Sequence, residues 1–360
     1  MIGRLQSLVS AASGAPSGDN TQPWRFVIDA EAPSVTIELD ATRDTSPMNA
    51  GQRMARIALG AALENLVRAS SCLGLEADVD LCGDGSSAVV RLNVGVTTVR
   101  PIEAAIFART TNRRFYDSRP LAQPLLTDLC RQTPRQGAVE TRWITDRGKM
   151  TQLAAVIGRA DAVMFGVASM RAAFLANVRF DAPAAGVASG LPLATLELSR
   201  ADRWALGAMR RAPSWLFKLP GALRSLGRHA SRLVRSASGM CLIVAHGNDP
   251  LVDWSVGRCA QRAWLALTSA GLAAQPMMSL AVLENAVRST CPATRHSLDD
   301  RRVRALLSDF AEQAPELGQG RPAFLLRFGY APAASARTGR RPEGETTAVV
   351  EHGLVAEMTG

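Results

Sequence analysis

The chain has 360 residues, enough for two domains or for one large body built from two related halves. Hydrophobic residues make up 47% and charged residues 20%, a balance that excludes disordered and fibrous classes, and no apolar run of about 18 residues predicts a membrane span. The net charge of +9 is concentrated: nine cations face Asp202 alone between Arg200 and Arg235, the pattern of a local device meeting an anion or a surface, not of a nucleic-acid-binding domain.

Residues 1–100 read as one unit. An opening helix leads into the loop Pro16-Ser17-Gly18-Asp19-Asn20-Thr21-Gln22-Pro23-Trp24. Strands are expected at Trp24–Ile28 and Val35–Leu39, around a turn at Asp29–Pro33. From Arg53 to Leu73 the apolar positions Ile57, Leu59, Leu63, Leu66, Val67 and Leu73 approximate helical spacing. Two more strands follow, Leu75–Leu81 and Ala88–Val94. Gly83-Asp84-Gly85-Ser86-Ser87-Ala88 between them matches the dinucleotide fingerprint G-x-G-x-x-A in letters only, because that fingerprint needs a strand before it and a helix after it. A hairpin turn is expected instead.

Residues 101–342 read as the second unit, with a basic insertion at about 182–238. It begins with a helix near Ile102–Ala108 and the polar run Arg109-Thr110-Thr111-Asn112-Arg113-Arg114-Phe115. Helical patterns follow at Leu121–Arg131 and Met150–Met170. Beyond the insertion come a strand at Met240–His246, a helix at Asp253–Ala270 and the run Ala273-Ala274-Gln275-Pro276-Met277-Met278. A core strand is expected at Ala323–Tyr330, then an extended tail at Ala331–Arg341, with residues 343–360 as a flexible end. No short-period repeat is visible.

The cysteines (Cys72, Cys82, Cys130, Cys241, Cys259, Cys291) and histidines (His229, His246, His296, His352) are scattered. No metal site is expected, and few general bases are on offer. Chemistry here therefore belongs to a cofactor. The N-terminus lacks the apolar core of a signal peptide, which places the expectation in the cytoplasm.

Arg109, Thr111 and Arg113 recur at every second position, so in an extended segment two guanidiniums and a hydroxyl project from one side and can converge on a phosphate. Arg337, Arg340 and Arg341 are further cations, and Ser17 and Asn20 are short side chains suited to hydrogen-bonding a ligand's oxygens. Each feature also has a plain structural reading: a solvated helix end for Arg109–Arg114, a turn anchored by a core tryptophan for Gln22-Pro23-Trp24, and core filling for Met277 and Met278.

The loop Pro16–Trp24 resembles the P-S-x-x-N-x-Q-P-W signature of the nitroreductase family of FMN proteins. Arg109–Phe115 is similar to that family's R-R-S-x-R-x-F phosphate segment, with Thr111 in place of serine, and Gly329-Tyr330 followed by Arg337, Arg340 and Arg341 resembles its C-terminal G-Y…K/R-x-R element. The order departs from ordinary members, in which the arginine segment precedes the loop. It resembles the fused branch, where two degenerate halves of one chain imitate the usual homodimer. The resemblance implies an α+β fold of two repeats, each a mainly antiparallel sheet flanked by helices, with one FMN per chain and function as a monomer. It implies that Arg109, Thr111, Arg113 and Arg340 or Arg341 hold the phosphate and pyrimidine edge, that Ser17, Asn20 and Gln22 reach across from the other half, and that Gln275, Pro276 and Met277 lie near the ring. The resemblance further implies that flavin N5 would carry the chemistry, with no side chain needed as acid or base.

Function follows as an expectation: an FMN-dependent oxidoreductase passing electrons from NAD(P)H to a nitroaromatic, quinone or similar electron-poor substrate. The alternatives are a flavin-sequestering protein without NAD(P)H turnover and a specialised biosynthetic flavin reductase or dehydrogenase. Arg224, Arg228, Arg232 and Arg235 line one face of a cationic helix. That face reads as solvated, as part of a lid over the flavin within 181–238, or as a contact for a membrane surface or acidic partner.

Overall fold

In the computed structural model the described residues are all but 99–100, 183–186, 220, 222, 290–298 and 351–360. Cys291, His296 and His352 therefore lie outside the described residues, as do the side chains of 101, 102 and 218.

The first half is built from α1 (Ile2–Ser13), β1 (Trp24–Asp29), β2 (Ser34–Leu39), α2 (Arg53–Cys72), β3 (Leu75–Leu81) and β4 (Ser87–Val94). Alternation along β1, whose Trp24, Phe26 and Ile28 are all fully buried, turns one sheet face onto α1 and α2. The expected hairpin at Gly83–Ala88 is present: β3 pairs antiparallel with β4, Gly85 takes φ +70°, and no helix follows. Its Gly85 carbonyl accepts from Trp254 Nε1 at 3.0 Å, which ties the hairpin to the second half.

The second half runs through α3 (Pro101–Ala108), α4 (Gln123–Gln132), β5 (Val139–Ile144), α5 (Arg147–Gly166), α6 (Ala168–Asn177), β6 (Val178–Arg179), β7 (Leu191–Pro192), α7 (Arg200–Arg211) and α8 (Arg224–Arg235). It continues with β8 (Gly239–Ala245), α9 (Pro250–Ser269), β9 (Ala273–Pro276), α10 (Ser279–Arg288), α11 (Asp300–Gln313) and β10 (Arg321–Gly329). Its four-stranded sheet, in the order β5-β8-β10-β9, is antiparallel throughout. β8 and β10 are buried along their whole length, sandwiched between helices. The class is α+β.

Three expectations need correction. The helix expected over Met150–Met170 is broken at Val167, where α5 and α6 meet at 90°. That bent pair is also as near as the described residues come to a membrane span: no single helix is long and apolar enough. Residues 343–350 are not a flexible end. α12 (Glu343–Thr346) leads into β11 (Thr347–Val349), which pairs in parallel with β1 and completes the first half's sheet in the order β11-β1-β2-β4-β3. The division at residue 100 is accordingly incomplete, because the C-terminal end of the chain returns to the N-terminal sheet.

The halves meet along α2 and α9. Both helices have 20 residues, and the eighth of each is a glycine, Gly60 and Gly257. A Cβ on Gly60 would stand 2.1 Å from the Trp254 carbonyl oxygen, and one on Gly257 would stand 2.0 Å from that of Ile57. Each helix thus uses its glycine to admit the other's backbone. Beside this crossing, buried Glu64 of α2 accepts from Arg258 (3.1 Å) and Arg262 (2.9 Å) of α9 and from Arg68 (2.8 Å).

Candidate active site

The Pro16–Trp24 loop is held in a costly conformation. Asp19, Asn20 and Gln22 take φ of 46°, 58° and 54°, a left-handed region that costs about 1–2 kcal/mol for a residue with a side chain. Such strain persists where the surroundings over-determine it, and here three segments do so. Ser17 Oγ accepts from the Gln22 N–H at 2.9 Å within the loop. Asn20 reaches the tail, its Nδ2 donating to the Gly339 carbonyl (3.2 Å) and its Oδ1 accepting from Arg340 Nη1 (3.1 Å). Gln22 reaches both the tail and the insertion: Oε1 accepts from the Arg341 N–H at 2.9 Å, and Nε2 donates to the Ala188 carbonyl at 2.7 Å.

Against this loop lies a cavity of about 260 Å³. The loop contributes Ser17, Asp19 and Asn20, the arginine segment contributes Arg109, Thr111 and Arg113, the tail Arg337 and Arg340, and the insertion Leu191 and Thr195. The extended run after α3 is fixed by Thr111 bridging to Ala274 of β9 and by the Asn112 N–H donating to the Ala274 carbonyl at 3.0 Å. Arg109, Thr111 and Arg113 all line the cavity, together with Thr110.

In its lining Arg109, Arg113, Arg337 and Arg340 outnumber one carboxyl group, Asp19. Arg109 is buried, stacks 4.6 Å from the Trp264 ring and donates from Nη2 to the Gly14 carbonyl at 3.0 Å, while its Nε has no partner. Burial pulls its pKa down to about 9, and the neighbouring Arg340 and Arg337 pull the same way. Burial likewise takes Arg340 down to about 10, with Arg337 adding to it. Among the described residues no acidic group offsets either shift. Arg113 is also lowered by burial, with Asp19 opposing, and donates from Nη1 to the Thr195 carbonyl at 2.9 Å. A desolvated cationic cluster of this kind is costly until an anion enters it.

Six of the eleven expected site residues therefore come together: Ser17, Asn20, Arg109, Thr111, Arg113 and Arg340. The other five do not line the cavity. Gln22 is the brace just described, and Arg341 turns its guanidinium to Glu345 at 3.3 Å. Gln275 Oε1 accepts from Arg327 Nε at 2.7 Å, Pro276 is paired in the β9–β10 ladder, and Met277 is buried in the second half's core. Asp19, Leu191 and Thr195 belong to the lining and were not expected there, whereas Arg337, one of the further cations offered by the tail, lines it beside Arg340. The insertion residues Leu191 and Thr195 carry no motif that could have marked them.

No family model matches the chain. The uncharacterized protein MT1398 of Mycobacterium tuberculosis (strain CDC 1551 / Oshkosh) is 25% identical over 354 residues, 93% of this chain and 47% of that protein. The chain thus spans about half the length of that relative. Among solved structures it is similar to the FMN-dependent nitroreductase NfnB of Mycobacterium smegmatis in complex with NADPH (17% identity, 70% of this chain and 98% of that one, TM-score 0.39). It is also similar to a nitroreductase with bound FMN from Desulfitobacterium hafniense (12%, 71% and 100%, TM-score 0.38) and to the NADPH:FMN oxidoreductase of Vibrio harveyi complexed with NAD+ (11%, 68% and 75%, TM-score 0.35).

Proposed function

We propose that the chain is an FMN-dependent oxidoreductase that holds one FMN per monomer at the junction of its two halves. The observation that carries this reading is the convergence of Arg109, Arg113, Arg337 and Arg340 on one cavity, with the orphaned Nε of Arg109 among them. Such donors suit a phosphate dianion. Thr111 would add a hydroxyl, and Ser17 and Asn20 would offer short polar groups from across the junction. The reciprocal Gly60–Gly257 crossing supports reading the two halves as counterparts, the arrangement in which one chain takes the place of a dimer.

When bound, FMN supplies two-electron chemistry at flavin N5. The residues of this chain would bind its phosphate, orient it and limit water. NAD(P)H is the proposed donor and a nitroaromatic, quinone or similar electron-poor compound the proposed acceptor, with the cytoplasm as the proposed compartment. The purified protein should be yellow, and NADPH or NADH should bleach the flavin absorbance under anaerobic conditions. A colourless protein that takes up no added FMN overturns the cofactor, and failure of both nicotinamides to bleach it overturns the turnover.

A second reading has its own support. The insertion contributes Leu191 and Thr195 to the cavity lining, and Gln22 and Arg113 fasten it at the Ala188 and Thr195 carbonyls. A flavin-sequestering protein would be built in this way, and its FMN would be reduced by dithionite but not by NAD(P)H.

A further inference from the structure

The insertion carries a second feature that the cavity does not use. α7 buries Leu206 in a small cluster with Val178, Leu191 and Leu196, with Met209 packed against it, and presents its other side to solvent. There Trp204 is 78% exposed, and Trp215 and Leu219, a few residues further on, are 61% and 48% exposed. Exposed apolar groups of this size, close together in one segment, mark an interaction surface.

The surrounding charge has one sign. Arg200, Arg203, Arg210 and Arg211 of α7 are exposed, as are Arg224, Arg228, Arg232 and Arg235 of α8. Asp202, the one acidic residue in the stretch, is engaged by Ser199 Oγ at 2.7 Å. Arg210 and Arg232 rest on the faces of Phe180 (5.2 Å) and Phe115 (5.0 Å), contacts that leave their charge uncancelled. α8 is not adrift: it packs on α5 through Gly227 and Gly158, with Ala230, Leu233 and Val234 buried, so its arginines stand on a fixed ridge.

We propose that α7, α8 and the exposed Trp215 and Leu219 between them dock on an anionic lipid bilayer. Tryptophan and leucine tips among guanidiniums suit the headgroup level of a bilayer, where rings sit at the interface and guanidiniums meet lipid phosphates. An acidic protein surface would satisfy the charge but would leave the exposed rings needing a fitted apolar pocket. A bilayer meets both needs without a fitted shape. The inference stands independently of the FMN reading.

The test is co-sedimentation of the full chain with vesicles of phosphatidylcholine alone, or with phosphatidylglycerol at about a third of the lipid. The expected result is partitioning at least about tenfold stronger onto the anionic vesicles, weakened by added salt. Brominated lipid should quench tryptophan emission in the wild type, and less so in Trp204→Phe with Trp215→Phe. Replacing Arg224 and Arg228 by Gln should lower partitioning roughly tenfold with an unchanged melting curve. Absence of binding, equal binding to both vesicles, or binding without quenching overturns the proposal. So does concentration-dependent self-association that protects Trp204 and Trp215 from a soluble quencher, or tighter retention on polyglutamate than on the vesicles.

Discussion

Asp44 sits behind the loop, its Oδ1 accepting from the Ser46 N–H at 3.2 Å, with Asp19 near enough to repel it. Burial first, and Asp19 second, raise its carboxyl from 3.8 to about 6. A raised acid favours the native state only while it is protonated, so its contribution is complete below pH 3.8 and is lost as pH climbs to about 6. Asp44→Asn keeps the Oδ1 acceptor and removes the titration. Stability measured by urea unfolding should then fall less steeply across that window, where buried Asp161 is also raised to about 6, with a gain at neutral pH on the order of 2–3 kcal/mol. An unchanged slope would show that Asp44 does not titrate there. On the ligand side, Arg109→Gln should weaken FMN by about 1.5–3 kcal/mol, read by equilibrium dialysis, because it removes a buried charged donor. These individual residues divide sharply in how far sequence reveals them. Arg109, Thr111 and Arg113 were legible because cations and a hydroxyl recur at every second position of an extended run, although Thr110 between them lines the cavity too. Gln22 belongs to the same motif yet acts as a brace, since its left-handed backbone turns the side chain toward Ala188 and Arg341.

At the scale of elements, the α2–α9 crossing makes a clear demand. Neither glycine can accept a methyl group without moving the opposing backbone. Gly60→Ala and Gly257→Ala should each lower stability by about 2–3 kcal/mol, read as a lowered Tm, while Gly3→Ala, with open space around it, should change little. Glu64 strengthens the same crossing in a pH-dependent way. Burial opposes its ionisation, but Arg262, Arg68 and Arg258 overcome that and hold it at about 2. This depressed acid stabilises the fold above pH 4.5, and its share is lost as pH falls toward 2, opposite in sign to Asp44. Glu64→Gln should therefore flatten the acid limb of a stability profile and cost about 3 kcal/mol at neutral pH by leaving Arg262 buried and unmatched. The helices were readable from their apolar spacing. Their crossing was not, because a glycine inside a helix gives no sign of the partner it admits, and β5, α10 and α11 have patterns too short or too mixed to stand out.

For the whole molecule, the decisive arrangement is the return of the C-terminal tail, which a local reading of sequence could not foresee because it depends on pairing across the length of the chain. Arg337 and Arg340 line the cavity on a strap that continues to α12 and β11. Arg43 Nη2 donates to the Glu345 carbonyl at 2.6 Å, Phe26 pairs with Thr347, and the Val350 N–H donates to the Ile28 carbonyl at 2.8 Å. The strap is thus anchored on the first half's sheet at one end and on β10 at the other, and its arginines are positioned by both. A change at the sheet should be felt at the cavity without touching it. Val350→Pro removes the hydrogen bond to Ile28 and no cavity residue, and it should loosen the strap and weaken FMN binding by about tenfold, or 1.4 kcal/mol. Arg109→Gln in the same background should then lose less affinity than it does alone, because the two changes act on one cluster. Undiminished binding in Val350→Pro, with β11 shown by hydrogen exchange to be released, would separate the tail's arginines from its last strand.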